Sequence, residues 1–501
     1  MITSVLIGYW MSALDATILN LGFGTIAGHL NVGIDEVAWA STAYALALVI
    51  AMPLSGWLAA NLGRKQAFIA AIAVFTAGSL ACAFSNSLLV LTVARFIQGF
   101  GGGAMQPLGT AALLDAYPQE QLPKAFQIIG LGGMLGPLTG PLVGGWMLDN
   151  FPWQTLFVIN VPIGLAVIAM ASIGFVQRPV TPERRRFDWG ALALMAGGLI
   201  ALQYAIQEGP RSEWFASASV TLAALVACGA LGTFAFTQLR SARPLVDLKP
   251  LRLFTFDAGL LLLIVTTIGT TGTAFVVPLF LQQAVGFDAT AAGLAAVPAA
   301  IGTIVAIAAG GYLRRVSPIV IAVAGLLLLG FGTLWIALMG NTIGFGEIIL
   351  PRFVQGLGNG LVYVPFNTLV MVGIPQRLYD AASGLSGVTR QLGTSLGYAV
   401  LSAQIVALQH SAAVTLSGRV HVGAGASSRS LGQIAQALTQ RGFAPSDAAA
   451  QAPSVFSAIV QREAVVWGFQ SSLFTIAMLF LIVVPIVVLL WRFAPRAAAE
   501  A

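Results

Sequence analysis

Charge is what this chain has least of. Only 8% of its 501 residues are Asp, Glu, Lys or Arg, against about 25% in soluble globular proteins. With 57% hydrophobic residues and a mean hydropathy of +0.88, it cannot cover a water-facing surface, which excludes the soluble classes. Cysteine is almost missing. Cys82 and Cys228 both lie in apolar stretches, so no disulfide framework is expected. His29, His410 and His421 fall outside the apolar spans, which argues against a histidine proton relay, a zinc site or any other metal. No GxxxxGK[ST] loop occurs, which removes the phosphate cradle of ATP-driven machines. No nucleophile–base–acid grouping stands out, so an enzyme is not expected.

What is present describes a polytopic membrane protein. The 56 glycines and 23 prolines suit membrane helices, where both residues are more frequent than in soluble ones. A span needs about 20 mostly apolar residues. That rule gives fourteen: 4–26, 38–60, 66–84, 88–111, 125–147, 154–176, 189–207, 214–238, 255–280, 289–313, 317–339, 346–370, 383–407 and 465–491. The first shows no small-residue cleavage pattern and reads as a lasting span rather than a signal peptide. With a cytoplasmic N-terminus, sixteen of the 24 Lys and Arg fall in inward loops and the tail, and one, Arg211, in the short outward loops. Cytoplasmic loops carry such an excess, so both termini are expected inside. The basic clusters are topology signals, and no nucleic-acid partner is implied.

The chain repeats itself. "RFIQGFGGG" at 95–103 returns as "RFVQGLGNG" at 352–360, an offset of 257 residues, and the same offset carries Gly136 and Gly140 onto Gly393 and Gly397. Spans 1–6 thus repeat as spans 9–14 in one orientation, with spans 7 and 8 inserted. The expected architecture is all-α: an N-terminal six-helix bundle (1–176), two linker helices (189–238) and a C-terminal six-helix bundle (253–491) holding an extracytoplasmic segment, 408–464. Two bundles across a central path suit a rocking transporter.

Asp15 lies about 11 residues into the first span, hence about 17 Å deep and close to the middle of a core about 30 Å thick. Burial there favours the neutral acid and puts protonation near neutral pH within reach, as a proton carrier requires. A permanent salt bridge or helix–helix hydrogen bond is the alternative. Arg95 sits at a similar depth and is the expected partner; it would favour the charged carboxylate and so oppose burial. Arg352 and Gln355 repeat Arg95 and Gln98, while the offset puts Gly272 opposite Asp15, so the proton site is assigned to the first half. Asn20, Gln98, Gln106, Asn160, Gln203, Gln282 and Asn367 are candidate cavity or gating residues, and equally candidate interhelical hydrogen bonds. In the outward segment, "SLGQIAQALTQRGF" has the apolar spacing of an amphipathic helix.

These motifs carry a resemblance. "LDATILN" (14–20), "RFIQGFGGG", "GPLTGPLVGG" (136–145), "FVINVPIG" (157–164) and "VTRQLGTSLG" (388–397) resemble the fourteen-helix drug:proton antiporter branch of the major facilitator superfamily, the EmrB/QacA-type multidrug exporters. The 136–145 stretch is similar to the antiporter motif G-x-x-x-G-P-x-x-G-G, through Gly136, Gly140, Pro141, Gly144 and Gly145. The loop after the second span, "GWLAANLGRK", keeps Gly56, Gly63, Arg64 and Lys65 but has Ala60 and Asn61 where the family has an acid and a base. The resemblance implies proton-coupled efflux of lipophilic small molecules across a bacterial cytoplasmic membrane. Protons would be the coupling ion, with no cofactor, and a periplasmic adaptor of the membrane-fusion type is a possible partner. An exporter of an endogenous lipid or metabolite, and a non-transporting receptor or sensor, are the alternatives.

Overall fold

In hydrocarbon no water satisfies backbone amides, so a spanning segment must close its own hydrogen bonds, and these apolar stretches coil into helices. The computed structural model describes residues 1–116, 136, 138–175, 187–209, 211–241, 244–309, 316–370, 374–375, 378–422 and 424–499, and none of these is in a strand. The helices are α1 (Ile2–Leu30), α2 (Ile34–Leu62), α3 (Arg64–Ala83), α4 (Leu88–Ala116), α5 (138–150), α6 (Thr155–Val158), α7 (Asn160–Gly174), α8 (Trp189–Glu208) and α9 (Ala218–Arg240). They continue as α10 (Phe254–Leu279), α11 (Ala289–Leu294), α12 (Val297–Ala309), α13 (Pro318–Ala337), α14 (Phe345–Val370), α15 (Tyr379–Val422), α16 (Ala424–Gln440) and α17 (Pro445–Ala499).

Twelve helices among the described residues are long and apolar enough to cross a membrane. They fall on expected spans 1–4, 6–11, 13 and 14. The twelfth expected span coincides with α14, 26 residues long. The fifth, 125–147, lies largely outside the described residues, and its end belongs to α5.

The helices gather into two bundles. In the first, α2, α3 and α4 pack side by side with α1 and α7 against them; in the second, α12, α13 and α14 do so, with α10, α15 and α17 alongside. The bundles share a buried seam in which Phe23 of α1 meets Phe275 of α10 edge-on, ring centroids 4.9 Å apart. The inserted pair α8 and α9 leans on both. Gln203 of α8 exchanges two hydrogen bonds with Ser395 of α15, and Gln207 donates to the Asp35 carbonyl of α2.

Glycine contacts give the register of the repeat. Gly101 seats α4 against Ala71 and Phe75 of α3, and Gly358 seats α14 against Gly325 and Leu329 of α13. Gly136 and Gly140 approach Ala13 and Thr17 of α1, while Gly393 and Gly397 approach Thr267 and Thr271 of α10. Ala13 therefore answers to Thr267 and Thr17 to Thr271, an offset of 254 rather than 257. The sequence offset must be corrected on α1: Asp15 corresponds to Gly269, not Gly272. The cause lies in the α13–α14 connection, 338–344, three residues longer than its counterpart at 84–87. It advances the numbering only from the fourth span of each half onward.

The segment 408–464 is helical almost throughout. It consists of the end of α15, α16, and the start of α17, with α16 packed on α17.

Candidate functional site

Four helices of the first bundle aim polar side chains at one point. α1 supplies Asp15, α4 supplies Arg95 and Gln98 three residues apart on one face, α3 supplies Ser79, and α7 supplies Asn160 at its first turn. Arg95 Nη1 donates to Asp15 Oδ2 at 2.5 Å and to Gln98 Oε1 at 2.7 Å. Gln98 Nε2 and Asn160 Nδ2 donate to Asp15 Oδ1 at 2.8 and 2.7 Å. Both amides also reach Ser79 Oγ, at 3.1 and 3.0 Å, and Ser79 donates to the Phe157 carbonyl at 2.9 Å. The guanidinium lies over the Tyr44 ring, 4.1 Å from its centroid. Asp15 is 0% exposed and Arg95 1%. A buried charge must be paired and hydrogen-bonded to persist, and here the pair is wrapped by neutral donors. Two atoms are left over: Arg95 Nε and Asn160 Oδ1 are buried without a partner.

The second bundle builds half of this. Arg352 donates to the Gln355 side-chain carbonyl and, through Nε, to the Ala295 carbonyl at 3.2 Å. Gln355 Nε2 donates to Thr333 Oγ1 at 2.9 Å, the place Ser79 holds in the first bundle. Gly269 stands where Asp15 would be, and a Cβ there would lie 2.6 Å from Cζ of Phe480. Glycine and a phenyl ring have replaced the acid.

Between the bundles is a cavity of about 170 Å³, bordered by Thr17 and Asn20 of α1, Pro141 of α5, Thr270 and Thr273 of α10, and Arg352 of α14, among others. At its edge, toward the end of α1, the bundles are pinned together. Tyr398 donates to Asn20 Oδ1 at 2.9 Å, and Gln282 donates to the Leu21 carbonyl at 3.2 Å. Asp149 at the end of α5 accepts from the Ala289 and Thr290 amides of α11 at 3.2 and 2.7 Å.

The sequence profile of the Major Facilitator Superfamily matches residues 5–398. The chain belongs to the Major Facilitator Superfamily. It is a multi-pass membrane transporter, not an enzyme. It is 32% identical over 393 residues to "Multidrug export protein EmrB" of Escherichia coli (strain K12), covering 78% of this chain and 77% of that one. To the protein of the same name from Haemophilus influenzae it is 30% identical over 392 residues, covering 77% and 76%. Its fold is similar to that of a bacterial homologue of the human lysosomal transporter Spinster in an inward-facing, unoccupied conformation, with a TM-score of 0.66 at 15% identity over 99% of this chain and 97% of that one.

The superfamily motifs sit at helix contacts. Gly136 and Gly140 let α5 lie directly on α1, Gly144 meets Ile18, and Gly145 meets the Ala289 carbonyl of α11; Pro141 in turn receives Gly293. The 136–145 stretch thus touches the acid-bearing helix and the opposite bundle at once. In the loop motif, Gly63 turns the chain at φ 81°, a conformation glycine adopts without strain. Arg64 Nη1 donates to the Ala111 carbonyl of α4 at 3.3 Å, and Lys65 to the Ser172 carbonyl of α7 at 2.5 Å. Both cations meet carbonyls near helix C-termini, where positive charge is favoured. Gly56 is exposed, and a Cβ there would meet nothing within 4 Å.

The structure gathers Asp15, Arg95, Gln98 and Asn160 into one network, Arg352 and Gln355 into a second, and sets Asn20 on the cavity. Gln106 stays apart: its side chain is exposed, and its carbonyl accepts from Tyr9. Asn367 and Pro137 lie outside the residues whose side chains are described. Ser79 and Tyr44 were missed. Their signals were glycines: Gly78 brings α3 and so Ser79 onto the Gln98 backbone, and Gly99 brings α4 onto the Tyr44 carbonyl.

Proposed function

We propose that the protein exports lipophilic, drug-like small molecules in exchange for protons, with Asp15 as the proton carrier. The observation that carries this reading is the Asp15 carboxylate, buried at mid-span with Oδ2 bonded to Arg95 alone among the described residues. A proton arriving at Oδ2 takes the place of that bond, so protonation and release of the guanidinium are one event. The freed Arg95 keeps Gln98 and the Tyr44 face, which hold it without a counter-charge. Asn160 Oδ1, buried without a donor, can accept from the protonated acid after rotation of its amide. Protonation therefore exchanges an α1–α4 ion pair for neutral bonds on the helix whose Thr17 and Asn20 line the cavity. The bundles then rock, opening the cavity to alternate faces. At about 170 Å³ the cavity is smaller than the roughly 300–1,000 Å³ that drug-sized ligands occupy, so entry requires them to part.

The charge count supports cytoplasmic termini, and its one short-loop exception has a local reason. Arg211 pairs with Asp35 at 2.8 Å and Glu36 at 3.1 Å, which neutralise it. The site of action is then the bacterial cytoplasmic membrane. The EmrB name of its relatives supports drug export, and the helices of 408–464 are the surface offered to a membrane-fusion adaptor.

Dye uptake into energised inside-out vesicles tests the proposal. Asp15→Asn is expected to lose uphill transport and substrate-dependent proton movement while retaining downhill exchange; uphill pumping by that variant would refute proton carriage through Asp15.

A further inference from the structure

The two buried arginines differ in what balances them. Arg95 has a carboxylate at 2.5 Å. Arg352 is bonded to a side-chain amide and a backbone carbonyl, and no carboxylate of the described residues pairs with it. Among the described residues it is also the sole charged group lining the cavity; the other polar ones are amides and hydroxyls, Gln355, Asn20, Asn359 and Thr303 among them. A guanidinium is charged at any working pH. A buried cation without a counter-charge is costly, and an anion placed against it gains a charge-assisted hydrogen bond. Asn359 adds a neutral donor beside the same space, while the threonine hydroxyls there donate to backbone carbonyls and leave the guanidinium as its main donor.

We propose that the cavity selects lipophilic substrates bearing an acidic group, which docks on Arg352 and supplies the counter-charge the second bundle lacks. This inference rests on reading the cavity as the transport site. The division of labour follows from the repeat. The first bundle keeps its acid and handles the proton; the second has lost it, which leaves its arginine free for cargo.

Three probes sharing one ring system test the proposal: pyrenebutyrate, pyrenebutanol and a pyrenebutyl trimethylammonium salt. Each is titrated by fluorescence onto the purified full chain in detergent, at a pH where the carboxylate is ionised. Pyrenebutyrate is expected to bind at least about tenfold tighter than the alcohol, with the ammonium salt weakest. Arg352→Gln brings the butyrate down to the level of the alcohol and leaves the alcohol unchanged, while Arg352→Lys keeps most of the preference. Asn359→Asp, two turns along the same face of α14 with Arg352 intact, reverses the order of the charged probes and stands in should Arg352→Gln fail to fold. Equal wild-type binding of butyrate and alcohol, or a preference that survives both Arg352→Gln and Asn359→Asp, overturns the inference. Binding needs no gradient, so Asp15→Asn retains the preference even if proton coupling through Asp15 is refuted. If none of the probes binds, the cavity is not a lipophilic site, and both readings fall.

Discussion

The Asp15 cluster and the Arg352 cluster descend from one repeated pattern and have parted chemically. Each has an arginine, a glutamine three residues on, and a hydroxyl from the neighbouring helix, Ser79 or Thr333. Only the first has the acid; in the second, Gly269 and Phe480 occupy its room. The scaffold of such a site is thus separable from its titrating group. Arginine and glutamine suffice to hold a polar core together in the membrane, and adding one carboxylate turns that core into something a proton can switch.

Removing Arg95 should break this comparison hardest. Arg95→Gln strands the buried Asp15 carboxylate and is expected to cost about 3–5 kcal/mol of stability, measurable as lost resistance to denaturation in detergent. The double variant Asp15→Asn/Arg95→Gln should recover most of that loss, because no charge is left unpaired. Arg352→Gln, which strands no acid, should cost clearly less than Arg95→Gln; equal costs would show that the two clusters are held alike. Next comes Gln98→Leu, which removes two donor bonds and two acceptor bonds, from Arg95 and Cys82. Uphill efflux is expected to drop by about tenfold with its pH profile displaced, whereas Gln355→Leu leaves the profile in place. A matching displacement in Gln355→Leu would give the second cluster a share in proton handling. The smallest effect belongs to the hydroxyls. Thr333→Val removes one interhelical bond, from Gln355, and one within α13, and should cost about 0.6 kcal/mol, within the usual range for interhelical bonds. Ser79→Ala removes three and should cost two to three times as much in the same unfolding assay.

Much of this site was legible in the sequence. One acid inside an apolar span, an arginine at matching depth, and the recurrence of R-F-x-Q-G were enough to pair Asp15 with Arg95 and to place the odd carboxylate in the first half. Depth along a helix is readable because each residue rises 1.5 Å. Azimuth is not, so the inclusion of Asn160 and Ser79, and the exclusion of Gln106, waited for packing. Register failed for another reason. A linear offset assumes equal connections, and the three extra residues at 338–344 displaced the partner of Asp15 from Gly272 to Gly269. The helices of 408–464 were half legible, since the apolar spacing of α16 was visible but not the continuation of α15 and α17 beyond their spans.

The Asp149 contact has a consequence for how the molecule opens. Its carboxylate grips α11 through two backbone amides and the Thr290 hydroxyl, and the amides are groups that no substitution on α11 except proline can delete. Yet Asp149 is exposed, so water stands ready to replace those amides the moment α5 and α11 draw apart. A latch of this kind holds firmly while shut and releases at little cost, because solvent takes over each broken bond as it lets go.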